Sequence, residues 1–491
     1  MVTLNAENLT SLPAGLQAPG YDRSALRTGI VHFGVGGFHR AHEAVYLDRL
    51  MNEGKALDWA VCGVGVLPGD RRMHEVLRAQ DCLWTLLVKA PDGTRQSRVI
   101  GSMRDYLFAP DDPEAVIEQL AGEQTRIVSL TVTEGGYNLD PGTGEFDHTN
   151  TAVTKDLAPG ATPGTVFGLV TEALVRRRAR GLAPFTIMSC DNIQDNGHTA
   201  RNAFAAFAGL RDKELAEWIT AEVRFPNSMV DRITPVTTDD DRAEIRDRYG
   251  VDDRWPVVCE PFTQWVLQDD FGLGRPPFED AGVQLVADVA PYELMKLRLL
   301  NASHQALCYF GYLTGYRLVH EAAQDPLFAR FLLSYMEREA TPTLPPVPGI
   351  DLAAYRRQLI ERFANAEVRD TVPRLCAESS DRIPKWLLPV IRHNLAHGGD
   401  VTLSAAVVAS WARYAEGADE QGAPIDVVDN LKDRLMANAR RQRDEPLAFI
   451  ADRRVFGELS DNERFVAAYR RALDSLHAVG ARATLQSLTA G

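Results

Sequence analysis

Cysteines are few in this sequence, and none lies close to another. Only six of the 491 residues are cysteine, and they are scattered without a Cys-x-x-Cys pair. This usage is typical of a reducing compartment, in which thiols stay unpaired. No Cys-x-x-Cys pair offers the thiolates of a structural zinc site, so metal-assisted chemistry is not expected and we predict no metal site.

The chain also lacks a surplus of basic residues and any long apolar run. It has 53 Lys and Arg against 67 Asp and Glu, a formal net charge of −14. Nucleic acids and anionic membrane surfaces attract basic patches, so neither is an expected partner. No window is long and apolar enough for a spanning helix, and the N-terminus lacks a signal pattern. A cytoplasmic location is therefore expected.

Apolar residues are plentiful enough for a large core. Hydrophobic residues make up 45% of the chain and charged residues 24%, as in ordinary globular enzymes. The length predicts two or more domains. Small-molecule chemistry is thus the class of function that composition leaves open.

Two halves of the chain differ in pattern. β-branched runs at residues 29–33, 59–66, 126–133 and 184–190 alternate with helical patterns, which predicts a parallel α/β sheet. After a Gly- and Pro-rich stretch, helical periodicity takes over. We predict an α/β fold with an N-terminal Rossmann-type dinucleotide-binding domain over residues 1–285. A mainly α-helical C-terminal substrate-binding and catalytic domain is predicted over residues 286–491.

The first predicted strand is followed by a glycine-rich turn that opens a helix. The turn reads Gly34-Val-Gly-Gly-Phe-His, which departs from G-x-G-x-x-G because His39 takes the place of the third glycine. Backbone N–H groups in this context receive a pyrophosphate. We predict Gly34, Gly36, Gly37 and Phe38 as cofactor-binding residues, with an ordinary tight turn as the alternative.

An acidic residue follows the second predicted strand. Asp70 can bind the adenosine ribose hydroxyls, which favours NAD. Arg71 and Arg72 come directly after it and could receive a 2′-phosphate, so NADP stays an alternative. A charged surface turn would also explain these residues.

One helical segment carries three polar residues among leucines. On an α-helix, with about 100° per residue, His304 falls about 80° and Asn301 about 140° from Lys296. Burial lowers the pKa of a lysine, which lets its amine accept a proton near neutral pH. A neighbouring amide and imidazole can hold an oxygen whose charge changes. The alternative is a snorkelling lysine beside two satisfied polar residues of the core.

Other polar residues follow buried strands. Glu134 could carry a proton, and Asn192 could donate to an oxyanion, although both also suit ordinary turns. Asp231 and Glu260 lie within apolar strings, where an unpaired carboxylate is costly. Arg232 is the structural partner that each could have instead.

Several motifs together resemble the mannitol dehydrogenase family of polyol-specific long-chain dehydrogenases. The motifs are Gly-Val-Gly-Gly-Phe-His-Arg-Ala-His, Thr-Glu-Gly-Gly-Tyr, Ser-Cys-Asp-Asn, Phe-Pro-Asn-Ser-Met-Val-Asp-Arg-Ile-Thr-Pro, Cys-Glu-Pro-Phe and Lys-x-x-x-x-Asn-x-x-His. The resemblance runs from about residue 30 to about residue 466. It implies a metal-independent dehydrogenase that uses a nicotinamide cofactor.

The resemblance also implies a role for each site residue. Lys296 would be the general base, and Asn192 and Asn301 would hold the oxyanion. His304 would orient the reacting oxygen, and Glu134 would gate proton exchange with water. The substrate's other hydroxyls would be bound by Asp231, Arg374 and Arg382.

The expected activity is interconversion of D-mannitol and D-fructose with NAD. Within the family, the alternatives are a hexuronate reductase acting on fructuronate or tagaturonate, and a D-arabinitol or D-sorbitol dehydrogenase. A uronate would need an additional cation, which Arg374 or Arg382 could supply. Outside the family, a non-catalytic nucleotide-dependent sugar sensor and an NAD-dependent glycoside hydrolase are the alternatives. The family resemblance favours a monomer, with a homodimer as the alternative.

Overall fold

A computed structural model describes residues 1–140 and 144–490. The chain forms two compact units, Met1–Ala290 and a second that begins at Pro291. The predicted domain boundary between residues 285 and 286 lies near this division and stays a prediction. Each unit is described by itself below.

Strands are concentrated in the first unit. Those that the structure describes are β1 (Val2–Thr3), β2 (Thr28–Phe33), β3 (Ala60–Gly65), β4 (Trp84–Lys89), β5 (Arg95–Ile100), β6 (Met103–Phe108), β7 (Ile127–Leu130), β8 (Thr186–Ser189), β9 (Ser228–Asp231), β10 (Val251–Asp252), β11 (Val257–Cys259), β12 (Gln264–Gln268) and β13 (Gln284–Val286).

A five-stranded parallel sheet forms the centre of the first unit. Its strand order is β6-β3-β2-β7-β8, and every neighbouring pair is parallel. The chain begins this sheet in the middle, moves outward through β3 and β6, and then returns to the other side of β2. The order therefore reverses between β2 and β7, which is where open α/β sheets bind ligands.

Helices accompany the strands of the first unit. They are α1 (Gly37–Ala41), α2 (Glu43–Asn52), α3 (Arg71–Ala79), α4 (Pro113–Ala121), α5 (Thr133–Gly136), α6 (Thr151–Asp156), α7 (Val166–Ala179), α8 (Asn196–Arg211), α9 (Lys213–Glu222) and α10 (Asp239–Tyr249).

Both faces of the parallel sheet are covered. On β2, Ile30 belongs to one apolar cluster, while Val31 and Phe33 belong to another. Alternate residues of a strand point to opposite faces, so the two clusters lie on the two sides of the sheet. Burial on both faces explains why these strands read as nearly continuous apolar runs.

Smaller sheets complete the first unit. Their strand orders are β11-β4-β5, β13-β12-β9 and β1-β10. β9 pairs antiparallel with β12, and the register places Asp231 opposite Gln264. Asp231 is therefore the last residue of a paired strand.

The second unit is built of helices. They are α11 (Ala290–Met295), α12 (Ala302–Leu313), α13 (Val319–Gln324), α14 (Pro326–Tyr335), α15 (Leu352–Phe363), α16 (Val372–Cys376), α17 (Ser379–Trp386), α18 (Leu388–His397), α19 (Thr402–Ala415), α20 (Lys432–Arg441), α21 (Arg453–Phe456) and α22 (Glu463–Thr489). Two π-helical segments, Lys296–Asn301 and Met336–Ala340, continue α11 and α14.

The predicted fold class is confirmed, and individual boundaries differ. The predicted strand 126–133 ends at Leu130, because Thr133 has a φ of 66° and starts a short helix. The helix predicted from about Ala41 to Glu53 is present as α2 (Glu43–Asn52), and the short α1 precedes it, separated from it by His42, whose φ and ψ are −122° and −94°. Among the described residues, no helix has both the length and the apolar character needed to cross a bilayer.

Candidate active site

Gly34 stands where the sheet order reverses. Its φ is 90°, and a Cβ at this position would lie 2.1 Å from the Thr131 carbonyl oxygen that follows β7. The Thr131 hydroxyl donates a hydrogen bond to the Gly34 carbonyl at 2.7 Å. Only glycine tolerates both this conformation and this approach. Gly34 therefore fixes the ends of β2 and β7 against each other.

The next two glycines of the turn are not required by the fold. A Cβ on Gly36 would meet nothing closer than the Gly34 carbonyl oxygen at 3.8 Å. On Gly37, the nearest atom would be a methyl carbon of Thr234 at 3.5 Å, an ordinary contact. The space that these missing side chains leave fits the close approach of a pyrophosphate to the backbone. Phe38, also predicted to bind the cofactor, is half-buried and stacks on His42 at 4.8 Å.

His39 replaces the third glycine because β2 provides a partner for its ring. The imidazoles of His32 and His39 stack with centroids 3.5 Å apart. Glu43 Oε2 lies 3.3 Å from His32 Nδ1 and 3.2 Å from His39 Nδ1. Burial lowers the pKa of His39 to about 4. Burial alone would raise the pKa of Glu43, but hydrogen bonds from the two histidines hold it below its usual range.

His32, His39 and Glu43 also form the one group among the described residues that could hold a metal ion. Their ligand atoms lie within 4.8 Å of one another. Both ring nitrogens of His32 already contact hydroxyls, Nδ1 to Ser129 at 2.7 Å and Nε2 to Thr131 at 2.9 Å. A metal would have to displace these contacts, and the prediction that the protein has no metal site stays a prediction.

Asp70 shapes the turn after β3. Its Oδ2 accepts hydrogen bonds from the backbone N–H groups of Val66 and Leu67, both at 2.9 Å. Arg71 forms a bidentate pair with Asp111 at 2.7 and 3.1 Å. The carboxylate thus stands at the carboxyl end of the second strand of the sheet, while the adjacent guanidinium is already paired.

Asp191 is a residue of this region for which the sequence suggested no role. Its carboxylate accepts from the Val132 and Thr133 N–H groups at 3.1 and 2.7 Å, and from the Tyr137 hydroxyl at 2.8 Å. It is only 6% exposed, and burial raises its pKa. Asp191 therefore holds the left-handed Thr133 and, with it, the turn that carries Glu134. The available signal was an Asp directly after a buried strand.

Other predicted residues of the first unit differ in exposure. Glu134 and Asn192 are exposed, on α5 and on the turn after β8, whereas Asp231 is buried at the end of β9. Arg232 donates to the backbone carbonyls of Ala41 and Glu260. Its guanidinium therefore links the C-terminus of α1 to the loop after β11.

In the second unit, Lys296 and Asn301 are the two ends of a π-helical segment. The α-helical prediction placed them about 140° apart and was wrong in this respect. A π-helix bonds residue i to residue i+5, so residues five apart lie nearly above one another. The segment thus brings the amine and the amide to the same side, where Lys296 is 7% and Asn301 4% exposed.

The Asn301 amide has an unused donor. Its Nδ2 is buried and has no hydrogen-bond partner among the described residues. Such a group costs free energy unless a ligand satisfies it. His304, one turn further along, is half-buried, and its ring lies 4.5 Å from that of Phe363. A substrate oxygen is the kind of acceptor that this donor lacks.

Arg374 and Arg382 are both engaged within the second unit. Arg374 donates to the Asp370 carboxylate from Nε at 2.6 Å and from Nη2 at 2.5 Å. Arg382 Nη1 donates to the backbone carbonyls of Arg374 and Leu375 at 3.1 and 3.3 Å. Asp370 was not singled out from the sequence, although its spacing of four residues from Arg374 was a usable signal.

The parallel sheet with its open glycine turn, and the helix with a buried lysine beside an unsatisfied amide, define a dinucleotide-dependent dehydrogenase. The chain belongs to the mannitol dehydrogenase family. The family's Rossmann domain matches residues 28–280, and its C-terminal domain matches residues 288–477.

Relatives match over nearly the whole chain. Mannitol 2-dehydrogenase of Neosartorya fischeri is 44% identical, over 98% of this chain and 98% of that protein. A Pseudomonas fluorescens mannitol 2-dehydrogenase, solved as a ternary complex with NAD and D-mannitol, is 46% identical, with a TM-score of 0.90 and 99% of each chain covered. A substrate-free D-sorbitol dehydrogenase is 39% identical with the same TM-score, over 99% of this chain and 100% of the other.

Proposed function

We propose that this protein is an NAD-dependent polyol 2-dehydrogenase that interconverts D-mannitol and D-fructose without a metal ion. The unsatisfied Nδ2 of Asn301, on the same side of the π-helical segment as Lys296, is the observation that carries this proposal. Relatives that act on mannitol, at 44% and 46% identity, support the choice of substrate.

Lys296 acts as the general base. Its amine takes the proton of the substrate's secondary hydroxyl while the carbon–hydrogen bond breaks and a carbonyl forms. The bound nicotinamide supplies the acceptor for the hydride that leaves. Asn301 Nδ2 donates to the oxygen as its charge grows, and this donor is in place before the reaction. His304 orients the same oxygen from the next turn of the helix.

The open glycine turn of the first unit would hold the cofactor. Gly36 and Gly37 leave the backbone accessible to a pyrophosphate, and Asp70 would receive the adenosine ribose hydroxyls. NAD is preferred because Arg71, the nearest cation in sequence, is paired with Asp111. The roles of Asn192 in holding the oxyanion and of Glu134 in proton exchange are part of the same proposal, as is substrate binding by Asp231, Arg374 and Arg382.

A substrate panel tests the proposal. Oxidation of D-mannitol, D-sorbitol and D-arabinitol, and reduction of D-fructose and D-fructuronate, are measured with NAD(H) and NADP(H), before and after EDTA treatment. The expected result is the highest kcat/KM for the D-mannitol/D-fructose pair with NAD(H), unchanged by EDTA. Faster turnover of D-sorbitol or D-fructuronate would overturn the substrate assignment. NAD binding without turnover of any polyol would indicate a sensor.

The monomeric state and the cytoplasmic location are also proposals. Light scattering of the purified protein tests the first, with a mass near 54 kDa expected and twice that value contradicting it. Cell fractionation tests the second.

A further inference from the structure

Arg374, which is predicted to bind substrate hydroxyls, already forms an ion pair with the Asp370 carboxylate. The Asp370 oxygens take two donors of Arg374, Nε at 2.6 Å and Nη2 at 2.5 Å. The Asp370 side chain is 12% exposed and that of Arg374 57%. Such a fork-shaped pair fixes the guanidinium plane and cancels its charge. Arg374 therefore offers Nη1 as a hydrogen-bond donor with little net charge behind it.

Asp370 is held in this position by the backbone around it. Its Oδ1 accepts a hydrogen bond from the Thr371 N–H at 2.8 Å, and its carbonyl accepts from the Val319 N–H at 2.9 Å. The preceding Arg369 has a left-handed φ of 53°. Burial alone would raise the pKa of Asp370, but its bonds to Arg374 hold the pKa below its usual range. The carboxylate thus stays ionised at neutral pH.

The pair lies beside the helix that carries the proposed catalytic residues. α16, which contains Arg374, packs against α12, which contains His304. Any uncompensated charge on Arg374 would therefore attract an anionic ligand bound beside α12.

Arg382 supports the same arrangement from the other end of α16. Its Nη1 donates to the carbonyls of Arg374 and Leu375, and its guanidinium lies 5.7 Å from the Trp386 ring. Carbonyls at a helix C-terminus carry partial negative charge, which offsets part of the charge of Arg382. The two cations that could receive a uronate carboxylate thus both have partners within the second unit.

We propose that Asp370 is a specificity-determining residue, which by pairing with Arg374 makes the site accept neutral polyols and ketoses and reject hexuronates. This inference rests on the proposed function. A uronate carboxylate would have to compete with Asp370 for the same donors of Arg374 and would face like charge across the pair. A neutral hydroxyl needs only the remaining donor.

The Asp370→Asn variant tests this inference. It keeps the side chain's shape and removes the compensating charge, so kcat/KM for D-fructuronate relative to D-fructose should rise about tenfold or more. Asp370→Glu restores the charge and should bring this ratio back toward the wild-type value. Asp381→Asn is the matched control, because Asp381 pairs with Lys385 at 2.7 Å on α17 and should leave the ratio unchanged.

Two further variants keep the test decisive. Asp370→Ser gives the same charge change if the Asn variant folds poorly. The double variant Asp370→Asn with Arg374→Gln removes both charges and should lose the gain. A ratio that stays within about twofold of wild type in both single variants would overturn the inference while leaving the proposed function intact. Absence of polyol turnover in the wild-type protein would instead overturn the proposed function.

Discussion

Polar side chains at the edge of the parallel sheet in the first unit and in the π-helical segment of the second unit serve different ends. In the first, Asp70 and Asp191 each use a carboxylate to hold two backbone N–H groups at the ends of sheet strands. In the second, the π-helical segment presents an amide donor, on Asn301, that no described residue satisfies. The two carboxylates at the sheet edge thus shape loops, whereas the amide of the π-helical segment has a donor available for a ligand.

This difference follows from what each unit is proposed to bind. A dinucleotide is recognised mainly by backbone geometry, so the side chains nearby serve to fix that backbone. A reacting oxygen changes its charge, so its donors must be in place and unspent beforehand.

The two units also differ in the titration of their buried groups. Burial lowers the pKa of His42 in the first unit to about 3. In the second, burial raises the pKa of Glu339 to about 7, although two N–H groups at the start of α19 oppose that rise. Acid should therefore weaken the first unit, and neutral pH should weaken the second.

The largest expected effect is at Gly34. Gly34→Ala should cost about 3 kcal/mol or more of unfolding free energy, because the methyl meets the Thr131 carbonyl and φ is 90°. Gly36→Ala should leave stability unchanged and weaken NAD binding about tenfold or more. Thermal melts and NAD titration measure both quantities. Equal melting temperatures for the two variants would contradict the account of this turn.

A matched pair of carboxylate deletions compares the units directly. Asp191→Ala and Glu339→Ala each leave two backbone N–H groups without acceptors, so each should cost about 2 kcal/mol or more. Only Asp191→Ala should also lower kcat, because it releases the turn that carries Glu134. Denaturant unfolding and steady-state kinetics check the pair. If kcat falls equally in both, the loss reflects general destabilisation and the role of Asp191 is wrong.

Stability against pH should change in opposite directions in the two units. The contribution of His42 is present above pH 6.5 and is lost as pH falls toward 3, since its folded pKa is lowered from 6.5. That of Glu339 is present below pH 4.5 and is lost as pH rises to about 7. Each slope should approach about 1.4 kcal/mol per pH unit.

Two variants isolate these contributions. Chemical unfolding from pH 4 to pH 8 is compared between the wild type, His42→Gln and Glu339→Gln. The His42 variant should flatten the acid side of the curve and the Glu339 variant the side approaching neutrality. Curves parallel to wild type for both variants would contradict the assigned shifts.

The smallest expected effect is at the exposed ion pair of Arg71 and Asp111. Arg71→Gln breaks an ion pair whose side chains are 51% and 50% exposed, so it should cost less than about 1 kcal/mol. The preference for NAD over NADP should stay unchanged, because the guanidinium is paired with Asp111 and does not bind a 2′-phosphate. A loss of NADP activity in this variant would show that Arg71 does bind that phosphate.

Sequence patterns predicted the sheet and the glycine turn well. The strands around Val31 and Val128 are buried on both faces, so apolar runs located them directly. The turn after β2 was recognisable because a strand, glycines and a helix follow in order. Even the departure at His39 has a local cause, since it stacks on His32 seven residues earlier.

Other features depend on contacts that no local pattern contains. The residues of the π-helical segment Lys296–Asn301 are also common in α-helices, so the hydrophobic pattern could not show which of the two helix types would form. The role of Asp191 requires β7 and β8 to be neighbours in the sheet and Thr133 to be left-handed.

The central claim is that the buried Lys296 amine removes the hydroxyl proton. The direct test is D-mannitol oxidation by Lys296→Ala at saturating NAD, with and without added methylamine, alongside NAD titration. We expect a fall in kcat of about 10²–10⁴-fold, NAD affinity close to wild type, and partial recovery of kcat with the amine. Wild-type kcat in this variant at every pH tested would contradict it.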